Sequence, residues 1–103
     1  DDAVGEAYFA DPLVYPKATT RLALESFNAQ DLIGALIDSI ATPTLVIHGG
    51  DDTLVPPSAS APLASVDGVE RKVYPGLRHE MHNEPEQGQV LAEVAAWLDS
   101  TLA

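Results

Sequence analysis

The chain reads as an α/β protein built on a pair of parallel strands with helices before, between and after them, and three observations carry that reading. Thr44-Leu45-Val46-Ile47 is a short aliphatic and β-branched run between Pro43 and His48-Gly49-Gly50, the pattern of a strand buried on both faces. Val69 to Tyr74, which follows the turn signal Asp67-Gly68, is a second such run. Elsewhere apolar residues recur at helical spacing, so strand, helix and strand follow one another in the order that parallel pairing requires.

Taken in order, Ala3 to Ala10 places Val4, Ala7 and Tyr8 at helical spacing. Asp11-Pro12 then stops the pattern, because the residue before proline disfavours the helical region. Leu13-Val14-Tyr15-Pro16 is an extended connection. From Thr19 or Thr20 a longer helical pattern runs through Leu22, Leu24, Phe27, Leu32, Ile33, Leu36, Ile37 and Ile40, with Asn28 and Gly34 predicting a kink or a division into two helices. After the first strand, Val55-Pro56-Pro57 leads into a short helix. Pro62 has no amide hydrogen and suits only a first turn, which favours Ser60 over Ser58 as its N-cap. Glu70, Arg71 and Lys72 in the second strand suit a sheet edge guarded by charge, as expected of a last strand. Asn83-x-x-Glu86 reads as a capping box with Pro85 in the first turn. It opens a terminal helix whose apolar face is Val90, Leu91, Val94, Ala95, Trp97, Leu98 and Leu102.

The 103 residues are 46% apolar, enough to pack one domain at most. Two parallel strands make a poor domain by themselves, which suggests part of a larger sheet. Sixteen acidic residues against five basic ones give a net charge of −11, which repels phosphate backbones and argues against nucleic-acid binding. No apolar run approaches the roughly 18 to 20 residues that span a bilayer. The chain has no cysteine, which excludes disulfides and thiolate metal sites.

The chemistry gathers at the strand ends. His48-Gly49-Gly50-Asp51-Asp52 follows the first strand and Pro75-Gly76-Leu77-Arg78-His79-Glu80-Met81-His82 the second, both at the carboxyl edge where open α/β sheets place ligands. A histidine acting as general base needs a buried acid to fix its tautomer, and Asp52 and His79 fit those roles. Asp51 competes for the acid's role, although it also suits a solvated turn. His79 alone has the bland reading of a surface-loop residue, and His48 that of a residue shaping the strand end. His82 and Glu84 invite a metal reading. However, His79-Glu80-Met81-His82 is one residue short of the His-Glu-x-x-His spacing, so no metal site is expected.

At His48-Gly49-x-x-Asp52-x-x-Val55-Pro56 and Tyr74-x-Gly76-x-x-His79-x-x-x-x-Glu84 the chain resembles the α/β-hydrolase family, whose members run nucleophile, acid, histidine along the sequence. The stretch from Tyr74 to Glu80, continuing through Asn83-Glu84-Pro85-Glu86 to Trp97-Leu98, is similar to the monoacylglycerol lipase branch. The resemblance covers most of the chain, strongly from about Thr42 onward. It implies the carboxyl-terminal portion of an α/β-hydrolase fold, with residues 1–30 in the cap and 31–103 in the core. Asp52 would be the catalytic acid and His79 the catalytic base, with no cofactor. Tyr8, Phe9, Leu13, Val14 and Phe27 would line an acyl-chain tunnel or, more simply, pack against the body of the fold.

The family's serine sits in a Gly-x-Ser-x-Gly elbow, and none of Ser26, Ser39, Ser58, Ser60, Ser65 and Ser100 has that context. The expectation is therefore a segment of a serine ester hydrolase acting on a lipid ester or small ester, inactive alone. Its partner would be the missing amino-terminal part of the same hydrolase, and self-association or domain exchange through open strand edges is expected of the free chain. Two alternatives stay open: an aspartate nucleophile, as in epoxide hydrolases and dehalogenases, and a noncatalytic binding protein of the same fold.

Overall fold

The computed structural model describes residues 1–103, which form two compact units: Asp2–Ile40, and Ala41–Ala103 together with Asp1. The boundary between the two units follows Ile40.

The first unit is helical. Helix α1 spans Asp2–Ala10. Asp11 closes it, with its amide bonded to the Tyr8 carbonyl and its carboxylate accepting the Leu13 amide at 2.8 Å. Helix α2 spans Thr20–Leu36 and is capped by Thr19, whose hydroxyl accepts the Leu22 amide at 3.1 Å. Asn28 and Gly34 neither break nor divide it, since an interior glycine costs only about 1 kcal/mol relative to alanine. The helix tightens instead at its end, where a 3-10 turn runs over Ile37–Ser39.

The second unit is a parallel pair, β1 at Thr44–Gly49 and β2 at Val69–Tyr74, in register from Thr44 opposite Val69 to Gly49 opposite Tyr74. A 3-10 segment, Pro57–Ser65, lies in the crossover, and helix α3, Gln87–Leu102, follows β2. Side chains alternate across a strand, so β2 shows which element covers which face. Arg71 reaches the Pro57 carbonyl and Ser60 on one side, while Lys72 and Tyr74 reach Glu93 of α3 on the other. Arg71 and Lys72, two of the three charges expected to guard an edge, are thus engaged by the covering elements.

Two predicted caps are corrected. Ser60 does not cap the crossover helix, which begins at Pro57 after an uncapped Pro56 and stays 3-10 to Ser65 with Pro62 inside it. Pro62 cannot supply the amide that an α-helical bond would need there. Asn83 does not cap α3 either; the capping position is Glu86, without a side-chain bond. The Asn83 amide and side chain both bond to Glu80, so successive turns occupy residues 80–86 before the helix starts.

The core sits at the carboxyl end of the strands. Tyr74, Leu77, Met81 and Val90 form its buried cluster, with Ile47 packed against them and Val90 only 1% exposed. Leu77 and Met81 flank His79 in sequence, so the best-packed apolar contacts anchor the histidine loop to α3 and the sheet.

Candidate active site

The loops after β1 and β2 meet through their backbones. The Gly50 amide bonds to the Tyr74 carbonyl at 2.7 Å and the Asp51 amide to the Leu77 carbonyl at 2.9 Å. Gly49 makes this approach possible: a Cβ there would fall 1.9 Å from the Arg78 carbonyl oxygen, a distance no side-chain carbon tolerates. Gly76 turns the second loop with φ at +83°, the left-handed region that glycine enters without steric penalty.

This stitching brings Asp52 and His79 together. The Asp52 side chain is 3% exposed, and its Oδ1 accepts the amides of Leu54 and Val55, each at 2.9 Å, in an Asx turn. Its Oδ2 lies 2.8 Å from Nδ1 of His79, whose side chain is 46% exposed. Burial pushes the Asp52 carboxyl up, but the hydrogen bonds from the Val55 amide, the His79 ring and the Leu54 amide outweigh it and hold the group below its ordinary value. An ionised carboxylate only accepts, so Nδ1 of His79 carries the hydrogen. In the neutral ring Nε2 is then left as the basic nitrogen. Such an arrangement can take up a proton and hold the resulting imidazolium.

Asp52 also lies near a second histidine. His48 Nε2 is 3.4 Å from Asp52 Oδ2 and 2.9 Å from the Val55 carbonyl, while its Nδ1 is 2.8 Å from the Ser60 hydroxyl. Serine, histidine and aspartate therefore occur in a chain here too, but the geometry is structural. The His48 side chain is 10% exposed, and Ser60 is half-buried with its oxygen taken by Arg71 Nε at 2.9 Å. The shorter contact and the more exposed ring belong to His79. Sequence reading assigned Ser60 and Arg71 to other tasks, because contacts 12 and 11 residues apart leave no local signal.

Asp51 is exposed, as is His82. Glu84 is buried. No three His, Asp or Glu side chains converge as metal ligands. Tyr8, Phe9, Leu13, Val14 and Phe27 lie in the helical unit, all exposed except the half-buried Val14. The acid–histidine pair is built from the second unit alone. A cavity of about 220 Å³ lined by Tyr74, Pro75, Gly76, Leu77, Glu86, Gln89 and Val90 shares no residue with that pair.

The chain is similar to several known proteins. The family model described as serine aminopeptidase, S33, matches residues 1–86. A monoacylglycerol lipase of Mycolicibacterium smegmatis is 38% identical over 106 residues, covering 99% of this chain and 38% of the relative. A non-heme haloperoxidase of Rhodococcus erythropolis is 42% identical over 60 residues, 56% of this chain and 22% of that protein. A monoglyceride lipase homolog of Monkeypox virus is 27% identical over 96 residues, covering 88% and 35%. The chain thus spans well under half the length of each of these relatives. A two-stranded parallel sheet with flanking helices is the corresponding part of the fold, and the chain belongs to the serine aminopeptidase S33 family of α/β-hydrolases, on its monoacylglycerol lipase branch.

Proposed function

We propose that this chain supplies the acid and the base of a serine ester hydrolase, and the observation that carries the reading is the 2.8 Å contact between buried Asp52 and partly exposed His79. The serine comes from the part of the hydrolase outside this chain. His79 Nε2 takes its proton as the hydroxyl attacks the ester carbonyl, Asp52 stabilises the imidazolium, and His79 returns the proton to the departing alcohol. Water then repeats the cycle on the acyl-enzyme. The helical residues 1–30 form part of a cap, with Tyr8, Phe9, Leu13, Val14 and Phe27 offering apolar surface to an acyl chain or to the body of the fold.

The same pair serves ester or amide cleavage, and the names of the lipase relatives favour esters of glycerol. Incubating the complete hydrolase with a fluorophosphonate probe, then assaying monoacylglycerols against aminoacyl anilides, tests the reading. Labelling together with preferential release of fatty acid is the expected result. Absence of labelling in a folded, complete protein contradicts a serine nucleophile and favours the aspartate alternative or a binding role. Preferential anilide cleavage overturns the substrate class.

A further inference from the structure

Val55 is held at both ends of its peptide units by groups that bear on the acid. Its amide donates to Asp52 Oδ1 at 2.9 Å, and its carbonyl lies 2.9 Å from His48 Nε2. A carbonyl only accepts, so His48 carries its hydrogen on Nε2, and Nδ1 of the neutral ring accepts from the Ser60 hydroxyl 2.8 Å away, a shorter contact than that hydroxyl's 3.3 Å to the Pro57 carbonyl. That hydroxyl is oriented in turn, because its oxygen receives Arg71 Nε at 2.9 Å while Arg71 Nη2 donates to the Pro57 carbonyl. A directed line of hydrogen bonds therefore runs from the middle of β2, through Ser60 and His48 at the end of β1, to the turn that presents two amides to Asp52. His48 Nε2 also lies 3.4 Å from Asp52 Oδ2, the oxygen that His79 uses.

We infer that His48 is a positioning residue for the reaction: its Nε2–H, fixed in that tautomer by Ser60 and Arg71, closes the turn at Val55 and so aims the Asp52 carboxylate at His79. The inference rests on the hydrolase reading for its kinetic consequence, but its hydrogen-bond pattern is testable without it. His48 does not face the reacting atoms; it acts through Asp52. The reason to expect an effect on rate is geometric, since an orienting carboxylate works only while its oxygen stays within hydrogen-bond reach of the imidazole.

The test uses the complete hydrolase with His48→Leu, His48→Gln and Ser60→Ala, read by steady-state kinetics and by imidazole nitrogen and proton NMR. His48→Leu should lower kcat roughly tenfold to a hundredfold with KM changed by less than about twofold, the pattern of lost alignment in the chemical step. His48→Gln, whose amide nitrogen can replace Nε2, should recover most of that loss. Ser60→Ala should broaden the His48 tautomer signal and lower kcat several-fold, and it decides the matter if His48→Leu fails to fold. In the parent protein His48 should show the Nε2–H tautomer and His79 a low-field Nδ1 proton that weakens in His48→Leu or Ser60→Ala. If the parent protein proves not to be an esterase, weakening of that proton still supports the positioning line and only the catalytic reading falls. A folded His48→Leu or Ser60→Ala with parental kcat, or with an undisturbed His79 proton, overturns the inference.

Discussion

Asp52 meets His79 with one carboxylate oxygen only, Oδ2 at 2.8 Å from Nδ1, because its other oxygen already holds the amides of Leu54 and Val55. The carboxylate is therefore oriented by backbone before any histidine is considered, and the loop that supplies the amides is tied to the histidine loop through Asp51 and Leu77. The histidine loop is in turn anchored in the core, through Leu77 and Met81 packed with Tyr74 and Val90.

Acid stability should report this arrangement. The folded carboxyl of Asp52 lies below its ordinary value of 3.8, so the ionised group stabilises the fold at pH values above 3.8 and that contribution is lost as pH falls through the lower folded value. Melting temperatures of the complete hydrolase measured from neutral pH down to about pH 3 should therefore fall more steeply for the parent than for Asp52→Asn, which has no proton to bind. Parallel curves would show that Asp52 is not held ionised by its surroundings.

On the face of β2 that α3 covers, burial and the Glu93 carboxylate push the Tyr74 hydroxyl up to about 12, while Lys72, Tyr74 and Gln89 hold Glu93 down to about 2. The neutral tyrosine's stabilising contribution is complete below its ordinary 10.0 and disappears as pH rises toward about 12. For Glu93 the contribution is present above its ordinary 4.5 and disappears as pH falls toward about 2. Both Lys72 and Glu93 are partly exposed, so salt should weaken their pair. In a spectrophotometric titration, Tyr74→Phe should remove a late-ionising phenol. An unchanged late component would place the perturbed group elsewhere.

Glycine substitutions separate close approach from backbone strain. Gly49→Ala drives a Cβ into the Arg78 carbonyl, so the loops must part and the Asp52–His79 bond goes with them. A loss of roughly a hundredfold or more in kcat/KM is expected, the scale on which a misplacement of about 1 Å acts. Gly76→Ala meets no neighbouring atom and has only its positive φ to overcome, about 1 kcal/mol or somewhat more, so it should lower the melting temperature while sparing the rate. Equal kinetic effects of the two substitutions would refute the distinction.

The sheet has two strands, so each has an edge without a strand beside it, and Leu91, Leu98 and Leu102 of α3 are exposed. The 103-residue chain on its own should associate through such surfaces and show no serine-dependent turnover of activated esters. Light scattering and phosphonate-sensitive burst kinetics check both expectations. A monodisperse, cooperatively melting monomer speaks against the first, and a burst abolished by phosphonate against the second.

Sequence patterns made the two strands and three α-helices legible because each rests on local periodicity. Even so, β1 reaches Gly49 where the aliphatic run ends at Ile47, since the parallel partner through Tyr74 pairs residues that lack strand propensity. The Asp52–His79 proximity was legible from strand-end placement and motif spacing. The roles of Ser60 and Asn83 were not: both have side chains that cap helices, but Ser60 is drawn to His48 and Arg71 across the crossover, and Asn83 to Glu80 within a turn. Long-range partners outcompeted one local preference and a neighbouring carboxylate the other. Nothing local to Gly49 reports the Arg78 carbonyl against it.

The most direct measurement compares kcat/KM of Asp52→Asn and Asp51→Asn in the complete hydrolase. Asn at position 52 keeps the shape but removes the charge and invites the wrong imidazole tautomer, so a loss of at least roughly a hundredfold is predicted, with His79→Ala alike. Asp51 is exposed and outside the proton path, so its substitution should change the rate by less than about tenfold. A severe Asp51→Asn beside a nearly silent Asp52→Asn would contradict the assignment of Asp52 and His79 as acid and base.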